Sequence, residues 1–125
     1  MNSSAGKVTQ GEIKAKLLLR DDELLAEVGQ SLGKGATSTD AIRRGRQVVE
    51  NLKRELKERV CSNSMIITCY RASETDAVQL VAAIVDVIAE ALHGIPPATV
   101  AVLLYRTGLA TYCSPGWPPA GAADK

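Results

Sequence analysis

A chain of 125 residues with 46% apolar composition is one domain's worth of polypeptide with enough apolar surface to close a core. The formal net charge is +1, divided between a mildly basic first half (12 Lys+Arg against 9 Asp+Glu over residues 1–62) and a sparsely charged second half (3 against 5 over residues 63–125). That imbalance is too small to imply nucleic acid by itself. With no Phe, and only Tyr70, Tyr105, Tyr112 and Trp117 as aromatics, the core must be built from Leu, Val, Ile and Ala.

Residues 1–8 read as a disordered leader. Thr9-Gln10-Gly11-Glu12 fits a capping box, with Thr9 at the N-cap and Glu12 at N3. A helix from that point places Ile13, Leu17, Leu18, Leu24, Leu25, Val28 and Leu32 along one broad face, broken near Arg20-Asp21-Asp22. The rival reading over residues 12–20 is a strand, because Ile13, Ala15, Leu17 and Leu19 alternate with Lys14, Lys16 and Arg20; helix is preferred. The Gly33–Ser38 stretch then supplies glycines to end one helix and hydroxyl residues to cap the next. Residues 39–60 give the clearest helical pattern, with Ala41, Ile42, Gly45, Val48, Val49, Leu52, Leu56 and Val60 on one stripe. Charges spaced for i,i+4 pairing (Arg46–Glu50, Glu50–Arg54, Arg54–Glu58, Glu55–Arg59) lie outside it. Two such helices joined by a short loop make an antiparallel hairpin.

After the Ser62-Asn63 break, Met65–Tyr70 is a short continuous apolar run of the kind buried strands show. Ser73 is the expected cap of an apolar helix over 77–92, with Asp76 at its N3 position and Gly94 just past its end. On that helix the polar residues Gln79, Asp86 and Glu90 form one narrow stripe, the inverse of a surface helix. The run is as long as the shortest membrane spans, but Asp86 and Glu90 would be costly in a bilayer, so a buried helix is expected. Ile95-Pro96-Pro97 is a stiff turn, Thr99–Tyr105 a second buried strand, and Leu109–Cys113 a shorter strand turned back at Thr107-Gly108. Residues 114–125 read as a flexible Pro/Gly/Ala-rich tail. The expected architecture is therefore α+β: one compact domain over 9–113, an N-terminal antiparallel helical hairpin followed by a small βαβ(β) element of two to three strands.

Candidate chemistry is sparse. Gly29–Gly35 contains glycines and a lysine, but the phosphate-loop spacing fails and the segment follows a helix. Arg43, Arg44 and Arg46 crowd the first two turns of a helix, where positive charge opposes the macrodipole. With Lys34 in the preceding loop they are the candidate cradle for a phosphate or carboxylate. Nucleic acid is a possible ligand but not favoured, since Glu50, Glu55 and Glu58 interrupt the basic stripe and the basic half has no aromatic for stacking. His93, the single histidine, reads as a C-terminal helix cap. Cys61, Cys69 and Cys113 read as small core hydrophobes: the odd count and the absence of an apolar leader point to reduced thiols and a cytoplasmic chain. A catalytic pairing of Cys69 or Cys113 with His93 is a weak signal, so no catalytic residue, metal site or cofactor is assigned.

The functional expectation is a small non-enzymatic interaction or assembly protein. It would bury the 77–92 helix against itself or a partner chain through Val78, Val81, Val85, Ile88 and Leu92. That makes it a homo-oligomer or a protein binder with no membrane span. The alternative is a nucleic-acid or phosphate-ligand module using Lys34, Arg43, Arg44 and Arg46.

Overall fold

A computed structural model describes residues 8–33, 37–72, 76–113 and 117. The helices are α1 (Gln10–Leu17), α2 (Asp21–Leu32), α3 (Ser38–Cys61), α4 (Ser64–Arg71), α5 (Ala77–Ile88), α6 (Pro97–Thr107) and α7 (Leu109–Cys113), with a 3₁₀ turn at Ala89–Ala91. No strand occurs among the described residues. The α+β expectation is overturned: this is an all-α fold.

All three expected strands are helices, for identifiable reasons. At Met65–Tyr70 the Asn63 carboxamide accepts the Ile66 N–H at 3.0 Å and caps α4, so the residue read as a helix breaker is a helix starter. At Thr99–Tyr105, Pro97 occupies the first helical turn, where its missing N–H costs nothing. Ala98 through Leu104 are then all buried, so α6 has no polar face within that span to reveal a helical period. A β-branched run buried all round has the same appearance in a central strand. At Leu109–Cys113, Gly108 takes φ +92°, which ends α6 and lets the chain turn directly into α7.

The first half follows its pattern closely. Thr9 Oγ1 accepts the Glu12 N–H at 3.0 Å, and α1 stops before Arg20, whose own N–H donates to the Glu23 carboxylate at 2.8 Å as α2 begins. Over residues 12–20 the chain is therefore mainly helical rather than extended. The expected Ser73 cap lies outside the described residues; Asp76 caps α5 by accepting the Gln79 N–H at 2.9 Å. On α3 the polar partners sit three residues apart, Lys53 with Glu50 at 3.5 Å and Arg54 with Asn51 at 2.6 Å, in place of the expected i,i+4 pairs.

The closest packing joins α2 to α3. A methyl group built on Gly29 would overlap the Ala41 carbonyl oxygen and lie 2.7 Å from its carbon. One built on Gly45 would overlap the Leu25 carbonyl oxygen and lie 2.8 Å from its carbon. The antiparallel backbones thus meet where each offers a glycine, with the Leu25–Gly29 step set against the Ala41–Gly45 step. The glycine Cα–H groups face the opposing carbonyls, a contact that recurs at close helix crossings. Against α2 lies α6, which also packs on α1, α5 and α7; α5 in turn meets α1, α3 and α4, and both α4 and α7 return to α3.

Polar ties hold the layers in register. Thr99 is fully buried, and its hydroxyl donates to Glu27 Oε1 at 2.8 Å while Lys16 Nζ donates to the same oxygen at 2.7 Å, linking α6, α2 and α1. Arg106 donates to Asp21 Oδ1 at 2.9 Å and to the Leu17 carbonyl at 2.7 Å, spanning the break between α1 and α2. Cys61 and Cys113 form a disulfide across 52 positions of sequence, with Cys69 left free. The expectation of three reduced core thiols fails because the end of α3 and α7, distant in sequence, are neighbours in space. By loop-closure entropy a crosslink of that span stabilises the fold by about 4 kcal/mol.

Replacing Gly45 with Ala adds about 1 kcal/mol of helix propensity but forces a methyl into a main-chain carbonyl that cannot rotate away. Gly45→Ala and Gly29→Ala are each expected to lower the unfolding free energy by about 2 kcal/mol in urea denaturation. The double variant should lose less than the sum, because helices already forced apart meet a smaller second penalty.

Candidate functional site

The three described residues of the expected anion cradle, Arg43, Arg44 and Arg46, point to different partners. Lys34 lies outside the described residues. Arg43 turns back along its own helix to Asp40, at 3.5 Å. Gly45 faces α2, so Arg44 and Arg46, one step to either side of it, flank the α2–α3 seam on opposite sides. Arg44 reaches the end of α2, where Nη1 donates to the Gly33 carbonyl at 3.4 Å. Gly33 itself is extended, with φ −171°, and the arginine satisfies its carbonyl at the end of α2. Arg46 instead lines a cleft of about 370 Å³ between α2, α3 and α6.

That cleft is nearly balanced in charge. Arg46, Lys53 and Arg106 line it together with Asp21, Asp22 and Glu50. Asp21 holds Arg106 and Glu50 holds Lys53, so two of the three cations already face a carboxylate. Its chemistry suits a solvated ion-pair network better than a phosphate site.

Of the expected interface residues, Val81, Val85, Ile88 and Leu92 are buried by the chain's own helices, and Val78 is half-buried. The apolar helix therefore finds its cover within one chain, chiefly from α6, α4, α1 and α3. Its polar stripe does face solvent: Gln79, Asp86 and Glu90 are all exposed. His93 is exposed beyond the 3₁₀ turn, and Cys69 is half-buried on α4. Among the described residues no group of three or more His, Cys, Asp or Glu is placed to hold a metal ion, and no helix is long and apolar enough to cross a membrane.

A feature that the sequence reading missed lies along the stripe. Met65, at the start of α4, is 62% exposed, a large apolar side chain left in water. It forms one wall of an open groove of about 430 Å³ with Ala83 and Val87 of α5, and Arg59 and Asp86 also line the groove. Reading residues 64–71 as a helix would have found it, since Ile66 and Ile67 turn inward and leave Met65 outside with Thr68. The chain matches no known protein-family profile, no curated protein and no solved structure.

One ionisable group is strongly perturbed. The Tyr112 hydroxyl donates to the Lys53 carbonyl at 2.5 Å, tying α7 to α3. Burial pushes its pKa up from 10 to about 12, because the phenolate would be desolvated. The folded state thus holds this proton more tightly than the unfolded chain, so the neutral phenol's contribution is complete below pH 10 and is lost as pH rises towards 12. Tyr112→Phe should lack that component: the wild-type minus variant stability difference, from urea melts across this range, should shrink as pH rises.

Proposed function

We propose that the chain is a small non-enzymatic interaction domain that pairs with a second copy of itself through the groove between α4 and α5. The carrying observation is the exposed Met65 beside the Ala83–Val87 floor of an open groove. An exposed Met is adaptable and polarisable, suited to a shallow apolar contact. The rim chooses the occupant. Arg59 and Asp86 bring opposite charges to one groove, so a two-fold arrangement sets Arg59 of each copy against Asp86 of the other without any new complementary surface. The burial of Val81, Val85, Ile88 and Leu92 within the chain moves the proposed contact from the hydrophobic face of α5 to its solvent edge.

The anion-binding alternative has less support, since Arg43 and Arg44 are turned towards Asp40 and Gly33 and Arg46 faces a cleft whose cations are matched by Asp21, Asp22 and Glu50. As for compartment, the Cys61–Cys113 bond supports a setting where disulfides persist, against the reducing cytoplasm inferred from the odd cysteine count.

Light scattering over a range of protein concentrations tests the proposal. A reversible dimer is expected, weakened only modestly by salt because its rim charges are exposed. Met65→Glu should weaken it by about tenfold or more while leaving the helical circular dichroism unchanged. A wild-type chain that stays monomeric at the highest soluble concentration would overturn it.

A further inference from the structure

The two ends of the Cys61–Cys113 disulfide differ in access. Cys113 is buried at 7% exposure, whereas Cys61, at the end of α3, is partly buried and borders open space. An open groove of about 400 Å³ leads to Cys61, lined by Arg54, Lys57, Glu58 and Ser62. Arg54 and Lys57 are exposed cations facing one carboxylate, so the approach to Cys61 carries a net positive charge. Exchange requires a thiolate to reach one sulfur of the bond, and its rate depends on access and on which sulfur is attacked.

We propose that this disulfide is a site of thiol–disulfide exchange, entered at Cys61 by a small anionic thiol, and that its opening undocks α7. The attacking thiolate forms a bond to Cys61 Sγ as the Cys61–Cys113 bond breaks, and Cys113 leaves as a thiolate that takes a proton from water. A second thiolate attacks the mixed disulfide, releasing the oxidised thiol dimer and leaving Cys61 reduced. Two thiols thus supply the two electrons that reduce the protein disulfide. The inference is independent of the dimer proposed above, which uses a different groove.

The consequence follows from what the bond holds. Trp117, the single tryptophan, donates its indole N–H to the Cys61 carbonyl at 2.6 Å and meets Tyr70 in a tilted ring contact, with centroids 4.7 Å apart. On the α7 side, Tyr112 donates to the Lys53 carbonyl at 2.5 Å. When the covalent link opens, α7 keeps only such non-covalent contacts, and Trp117 leaves its seat by Tyr70.

The test uses the full chain with its disulfide formed, which should titrate as one thiol under native conditions. Reduced glutathione serves as the more highly charged probe and β-mercaptoethanol as the less charged one, since its attacking thiolate carries no carboxylates. At low salt, Arg54→Ala/Lys57→Ala should slow reduction by glutathione several-fold and reduction by β-mercaptoethanol by clearly less. Mass spectrometry of the quenched reaction should place the glutathione adduct on Cys61. Trp117 emission should shift to longer wavelength on reduction, while circular dichroism keeps its helical signal. The Cys61→Ser/Cys113→Ser variant should start from that shifted emission without any thiol. Three titratable thiols in the native chain, an adduct on Cys113, equal slowing for both reagents, or unchanged Trp117 emission would each overturn the proposal.

Discussion

The close crossing of α2 and α3 sets the geometry for everything that packs on them. Two glycines, Gly29 and Gly45, let the main chains approach until each lacks room for a methyl group against the opposite carbonyl. A crossing this tight has little freedom in register, because sliding one helix along the other by a residue would bring a side chain into a carbonyl. The pair therefore acts as a fixed support. Leu24, Leu25 and Val28 from α2 and Val49, Leu52, Leu56 and Val60 from α3 all enter the same core as α6.

That support explains the placement of the polar ties. Glu27 on α2 is positioned to receive both Lys16 and the buried Thr99 hydroxyl, and Asp21 at the start of α2 receives Arg106. Each tie begins on α2 and ends on α1 or α6. A buried hydroxyl without a partner would be costly, so the Thr99–Glu27 bond also specifies which turn of α6 lies against α2. The disulfide secures the short α7 to the last turn of α3, beside the buried Val60 and Leu109.

The first half of this fold could be read from sequence because α2 and α3 are amphipathic and α1 is marked by its Thr9 cap. The Thr9 cap, the break near Arg20 and the hairpin all depend on local chemistry or a polar–apolar period, and each appears as expected. The second half could not, because α6 is buried over seven successive residues and α4 and α7 are too short to display a period. Buried helix and buried strand then share one pattern, and the distinguishing marks are the Asn63 cap of α4 and Pro97 at the first helical position of α6. In sequence Gly29 belongs to a glycine-containing stretch and Gly45 to the apolar stripe of α3; their role depends on the opposing backbone. The site was read unevenly for similar reasons. The exposed stripe of Gln79, Asp86 and Glu90 was apparent from helical spacing, whereas the divergence of Arg43, Arg44 and Arg46 depends on Gly45 facing α2 between them. Met65 was hidden by the strand assignment, and the disulfide by the distance between its cysteines in sequence.

The most direct measurement is an NMR search for Hα contacts across the α2–α3 seam. Backbones this close should give nuclear Overhauser effects from the Gly29 Hα protons to Ala41 and from the Gly45 Hα protons to Leu25. Those cross-peaks, in that antiparallel register, are the predicted result. Hairpin helices that form but show only side-chain contacts across the seam would contradict the account, and the placement of α6 and its polar ties would lose its foundation.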